Sequence, residues 1–168
     1  MMSKKQKAIF GLSLLVNIVL VVCLIIGYMK LSLVHRELFY SEVQYNLVEL
    51  DGLIEQQKMK NWPEPNLVTT QLGDVLNGLE VATNSGKYSG WLSNNDRMIM
   101  ERLNNALRQY PHDGLYKFSV LSQSDKSDFE DLQSKLQDVG FGMNMTISND
   151  WESFINKSDK LLALLEDY

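Results

Sequence analysis

Residues 8–29, AIFGLSLLVNIVLVVCLIIGYM, form a run of 22 without a charged side chain, set between Lys7 and Lys30. At about 1.5 Å per residue a helix of that length spans about 33 Å, enough for the ~30 Å hydrocarbon core of a bilayer. Lipid offers no partner for unpaired backbone groups, so a single segment crossing it has to be helical. A cleaved signal peptide is the main competitor, but its apolar stretch runs only about 7–15 residues and ends at a small-residue cleavage site. Here the run is longer, and Gly27-Tyr28-Met29-Lys30 offers no A-x-A pattern. The segment therefore reads as an uncleaved signal-anchor. Cys23 follows Leu20-Val21-Val22, a faint likeness to a lipoprotein site. The residue before it is not small, however, and the apolar run continues as Leu24-Ile25-Ile26, so Cys23 reads as a small apolar residue facing lipid.

Charge divides the chain at the same place. Residues 1–30 carry four lysines and no acid, a net +4, whereas the remaining 138 carry 12 basic and 21 acidic residues, a net −9. Three lysines and the α-amino group precede the apolar run; Lys30 and Arg36 follow it. By the positive-inside rule this puts a short basic tail, residues 1–7, in the cytoplasm, the span at 8–29 in lipid, and an acidic domain, residues 30–168, outside. Such a balance lacks the dense basic surface that nucleic acid requires. A single cysteine excludes an internal disulfide and any cysteine-based zinc site. Asn17, in the middle of the span, is either a tolerated polar residue or a hydrogen-bonding link between two such helices.

The outer part reads as mainly α: a stalk helix continuing the membrane span, with a four- to five-helix bundle around it. Residues 30–61 contain no proline and have Gly52 as their one weak point. Their apolar residues fall on two stripes. Phe39, Val43, Leu47, Leu50, Leu53 and Ile54 make one, suited to the protein's own core. Leu31, Val34, Leu38, Tyr45 and Val48 make the other, spaced like a short coiled-coil seam with Ser41 in the vacant slot. That second stripe predicts self-association or a partner helix near the membrane, or else burial by neighbours within the bundle. The prolines of Trp62-Pro63-Glu64-Pro65 end the helix. A second helix is expected over 66–83, a loop over 84–90, and a third helix from Ser93 or Asn94, closed by Pro111 to Gly114. A fourth is expected with Ser127 as N-cap, Glu130 completing a capping box and Gly140 beyond its end. The flanks of that helix alternate: Tyr116, Phe118, Val120 on one side and Phe141, Met143, Met145, Ile147 on the other. This leaves a small βαβ element at 115–147 as the alternative to helix and irregular connections. The last helix is expected from about Asn149 to the terminus, with Trp151, Ile155, Ser158, Leu162 and Leu165 on one side.

Motifs for chemistry are scarce. His35 and His112 form no H-E-x-x-H, no glycine-rich phosphate loop is present, and no G-x-S-x-G elbow occurs. The acidic stretch from Asp125 places Phe129 and Glu130 at the fifth and sixth positions of a calcium loop, where an oxygen ligand and glycine belong. Those acids instead suit the start of a helix, countering its dipole. No carboxylate pair stands out for glycan cleavage. Asn144-Met-Thr146 and Asn156-Lys-Ser158 fit the N-glycosylation triplet, which arises often by chance. Lys87, Tyr88 and Trp91 set two aromatics and a cation among glycines, an arrangement that grips a ligand or partner, unless Trp91 simply plugs the end of the bundle. The expected function is therefore a non-enzymatic, cofactor-free, protein-binding or structural component of an envelope complex. An extracytoplasmic ligand- or glycan-sensing module working with a partner subunit is the alternative, because seven residues before the span leave no room for a signalling domain.

Overall fold

The computed structural model describes residues 3–114, 118–143 and 150–166. It is helical, in the order α1 (Lys4–Phe39), a π turn (Tyr40–Gln44), α2 (Tyr45–Met59), α3 (Asn66–Tyr88), α4 (Asn94–Leu107), α5 (Gln123–Val139) and α6 (Trp151–Glu166). Two compact units result, Met1–Val34 and His35–Tyr168.

The first unit is the greater part of α1. Ser3 and Gln6 open it reciprocally: the Gln6 amide donates to Ser3 Oγ at 3.3 Å and the Ser3 amide to Gln6 Oε1 at 2.9 Å, a capping box that satisfies two end donors. Beyond it the apolar side chains stand open; Ile9, Leu15 and Leu24, for example, are 68%, 60% and 73% exposed. Asn17 turns its amide back onto its own helix, donating to the Ser13 carbonyl at 2.9 Å. The segment is one helix long and apolar enough to cross a membrane, and none of its apolar window is buried by the protein.

The second unit is a closed ring of helices. α2 packs against α3 and α5, α3 against α4, α4 against α6, and α6 against α5. The first apolar stripe lies at the centre: Phe39, Val43, Leu47, Leu50 and Ile54 are buried, with Leu53 packed at the margin. Each surrounding helix contributes the face its spacing predicts, as with Val68, Leu72, Val75 and Leu79 of α3 or Phe129, Leu132 and Leu136 of α5, all fully buried. At the corner after α2, Asn61 and Trp62 adopt left-handed backbone, with φ of 61° and 57°. The corner is held by Trp62 N–H donating to the Gln57 carbonyl at 2.7 Å and by the indole donating to Glu130 at 3.1 Å.

Two local expectations need correcting. The segment 84–90 is not a loop as a whole, because α3 continues through it to Tyr88. Gly86 lies inside that last turn against Leu92, where a Cβ would come within 2.6 Å of the leucine side chain. The glycine there serves close packing and not a turn. α5 begins at Gln123, capped by Ser122 and not by Ser127: Ser122 Oγ accepts from the Asp125 amide and Asp125 accepts from the Ser122 amide. Two overlapping boxes, Ser122 with Asp125 and Ser127 with Glu130, compete here, and the earlier one adds more than a turn of helix. Of the alternative βαβ element, residues 118–120 and 141–143 contain no strand, in keeping with the helical reading. The remaining parts of the two proposed strands, at 115–117 and 144–147, lie outside the described residues, as does Asn144 of the first glycosylation triplet.

Asp51 ties α2 to α5 and to the turn after it. Its Oδ1 accepts from Gln137 Nε2 and its Oδ2 from the Met143 amide, both at 2.9 Å. With Asp51 buried, Asp51→Asn turns one acceptor into a donor facing another donor. Chemical denaturation should show a loss of about 2 kcal/mol, the cost of a buried polar mismatch. Unchanged stability would mean that the two bonds are not both made.

Candidate functional site

At the end of the bundle where α1 enters it, aromatic side chains gather. His35 and Phe39 of α1, Trp91 from the turn after α3, and Trp151 and Phe154 of α6 form one cluster. Trp91 stacks on the His35 ring at 5.3 Å with 21° between planes, and meets Trp151 edge-on at 4.7 Å. The structure thus gives Trp91 the plugging position. Lys87 and Tyr88 lie apart from it, in the last turn of α3 and out in solvent, with the Lys87 ammonium 5.8 Å from the Tyr88 ring centre.

Within the cluster, His35 is 2% exposed; its Nδ1 lies 3.5 Å from Ser85 Oγ and its Nε2 has no hydrogen-bond partner among the described residues. Burial pushes its pKa below the ordinary value of 6.5 because the charged ring would lose water without gaining a partner. Above pH 6.5 neither folded nor unfolded protein binds the proton. Below it the unfolded chain binds a proton that the folded protein refuses, so stability falls as pH drops until the folded pKa is reached. Thermal unfolding between pH 7.5 and 5 should show this decline, and His35→Phe should flatten it. An equal slope in the variant would remove His35 as the cause. The window is separate from that of the perturbed carboxylates, which lie lower. For Asp113, burial raises the pKa, but the Ser119 amide, the Thr70 and Thr69 hydroxyls and His112 outweigh it and hold the carboxyl below its usual range. For Asp125 the Ser122 hydroxyl and amide do the same.

The residues of the second stripe are placed in three settings. Leu31 and Val34 are open side chains of the first unit, 42% and 62% exposed. Leu38 is half-buried against the core and borders a groove of mixed character with Glu42, Asp74 and Val81. Tyr45 and Val48 come together elsewhere, along an apolar groove of about 540 Å3 that they share with Glu49, Gly52, Leu53, Gln56 and Met143. The separation of Leu38 from Tyr45 has a definite cause. A π turn holds one residue more than an α turn, so the seven-residue step between them loses roughly 100° of phase. No local sequence signal announces that insertion. Its trace is the polar support around it: the Glu42 carbonyl accepts from Asn46 Nδ2 at 2.7 Å, and the buried Gln71 side chain donates to Asn46.

An open recess of about 290 Å3 between α4 and α5 is bordered by Asp125, Asp128 and Asp131, with Lys135 paired to Asp131 at 2.7 Å. Among the described residues no group of three or more histidine, cysteine or carboxylate side chains is placed to hold a metal ion. No protein-family model matches this chain, and neither a curated protein nor a solved structure matches it.

Proposed function

We propose that this chain is a single-pass membrane protein, N-terminus in the cytoplasm. Its acidic helical domain acts outside as a non-enzymatic protein-binding or structural component of an envelope complex. The observation that carries the reading is the helix over residues 8–29, whose large apolar side chains are left uncovered by a domain that closes its own core without them. Apolar surface of that extent in a soluble chain would drive aggregation, and a bilayer removes it from water. The lysines before the span and the acidic balance after it support the orientation. Partner binding draws on the Tyr45 groove, where Tyr45 and Met143 remain 53% and 65% exposed beside half-buried Val48 and Leu53. Aromatic and methionine side chains are the types enriched where proteins meet.

Topology and partner contact are tested separately. Deleting residues 1–29 should move the protein from the membrane to the soluble fraction, and alkaline phosphatase fused after Tyr168 should be active; an inactive fusion reverses the orientation. A photo-crosslinker at position 45 in intact cells should capture a discrete protein adduct. Tyr45→Glu, on an exposed position, should abolish the same complex in a native pull-down while leaving the unfolding temperature nearly unchanged. Absence of any adduct at 45 removes the groove from the proposal.

A further inference from the structure

We propose, resting on the membrane-anchor reading above, that two copies of this chain pair in the bilayer, in the same sense, through the face of α1 that carries Asn17. Asn17 lies about 2 Å along the helix from the midpoint of residues 8–29. It donates one N–H to the Ser13 carbonyl at 2.9 Å, and its Oδ1 and second N–H meet no partner among the described residues. Water would satisfy those groups. In hydrocarbon they stay unpaired, at a cost that only another polar group at the same depth removes. Two copies entering the bilayer in the same sense carry Asn17 at one depth, so each amide can donate its spare N–H to the other's Oδ1. A different protein would have to place a polar group at that depth independently. A single asparagine at an inward position of paired helices fixes their register and number in this way.

The residues around Asn17 repeat with the matching period. Phe10, Asn17, Leu24 and Leu31 are spaced by seven, and Ser13 and Gly27 follow two of them by three. At 100° per residue these six fall within an arc of about 100°, and the drift of about 20° per seven residues is what a left-handed supercoil absorbs. Phe10, Leu24 and Leu31 all stand open. Small side chains let helix backbones approach closely; a Cβ at Gly27 would meet nothing in the chain itself, so that position is free to receive a neighbouring helix. Leu31 carries the same face just beyond the apolar run, where an aqueous reagent reaches it. All of these residues belong to the first unit, Met1–Val34.

The test uses the purified full chain in phosphatidylcholine vesicles at high lipid dilution, with the only cysteine removed as Cys23→Ala and one new thiol added at a time. Leu31→Cys lies on the proposed face. Leu33→Cys, about 200° further round the helix, faces away, and both positions are exposed. Copper phenanthroline, which oxidises two neighbouring thiols to a disulfide, should link copies at 31 several-fold more than at 33. Adding Asn17→Leu should bring linking at 31 down to the level of 33. Equal linking at 31 and 33 overturns the face. Undiminished linking in Asn17→Leu overturns the role of Asn17. Absence of linking at 31 overturns the second copy as partner, and an adduct to a different protein at that position in native membranes would put that protein in its place. Flotation with the vesicles is read in parallel. A chain that fails to float overturns the anchor and this proposal with it, whereas a floating chain that does not link leaves the anchor intact. Asn17→Leu makes the span more apolar, so insertion persists, and equal flotation of the variant verifies this.

Discussion

Gly78→Ala should lower the stability of the helical unit by about 3 kcal/mol or more, at the upper end of what overpacking causes. A Cβ at this position would lie 2.0 Å from the carbonyl oxygen of Glu42 and 2.8 Å from its carbon. The obstacle is backbone, and that backbone belongs to the π turn, so relief requires moving a helix. The ordinary gain from replacing glycine in a helix, about 1 kcal/mol, is too small to offset it. Gly52→Ala is the matched control. Its Cβ would also come too close, 2.2 Å from Met143 Sδ, but the neighbour is the far end of a flexible, largely exposed side chain. Met143 can swing away, and the helix-propensity gain should leave that variant near neutral. Urea unfolding of the full chain in detergent distinguishes the two. If both variants behave alike, α3 does not approach the π turn as closely as described.

That contrast also shows where the sequence is informative and where it is silent. Apolar spacing alone locates the core faces, because burial is a property of side chains at a fixed period: Val43, Leu47, Leu50 and Ile54 all prove buried. Glycine at 78 is visible as a site of weak helix or close packing, but which of the two holds depends on a carbonyl 36 positions away in the chain. The π turn is invisible, since one inserted residue alters phase without altering composition, and it separates Leu38 from Tyr45 and Val48. The start of α5 is ambiguous for a different reason: both capping boxes are chemically competent, and the structure uses the earlier, giving a helix of 17 residues. At the α3 corner, three neighbouring residues differ in fate. Trp91 is drawn inward by His35 and Trp151, whereas Lys87 and Tyr88 finish a helix facing outward. Proximity in sequence had grouped them; the last turn of α3 separates them.

Phe39→Ala should be the costliest single truncation at the entrance to the bundle, at about 3–5 kcal/mol for removing a buried aromatic. Phe39 is 2% exposed, and its ring lies 4.6 Å from Trp151 edge-on and 5.9 Å from both Trp91 and Phe154. Edge-to-face contacts of this kind add about 0.5–1.5 kcal/mol beyond the area they bury, so the loss exceeds that of an aliphatic side chain of equal size. For a unit of 134 residues the fall in Tm should be roughly 10–20 °C, a large part of the margin of a domain stable by about 5–15 kcal/mol. Tryptophan emission separates local from global damage. Trp91 and Trp151 line the cavity, whereas Trp62 packs against Phe129 at another corner. Below the transition, a red shift should appear in Phe39→Ala and persist in a Trp62→Phe background, with Trp91 and Trp151 as its source. Should the shift vanish once Trp62 is replaced, the damage has spread through the core, and the cluster is not the separate latch that joins α1 and α6 to the turn after α3.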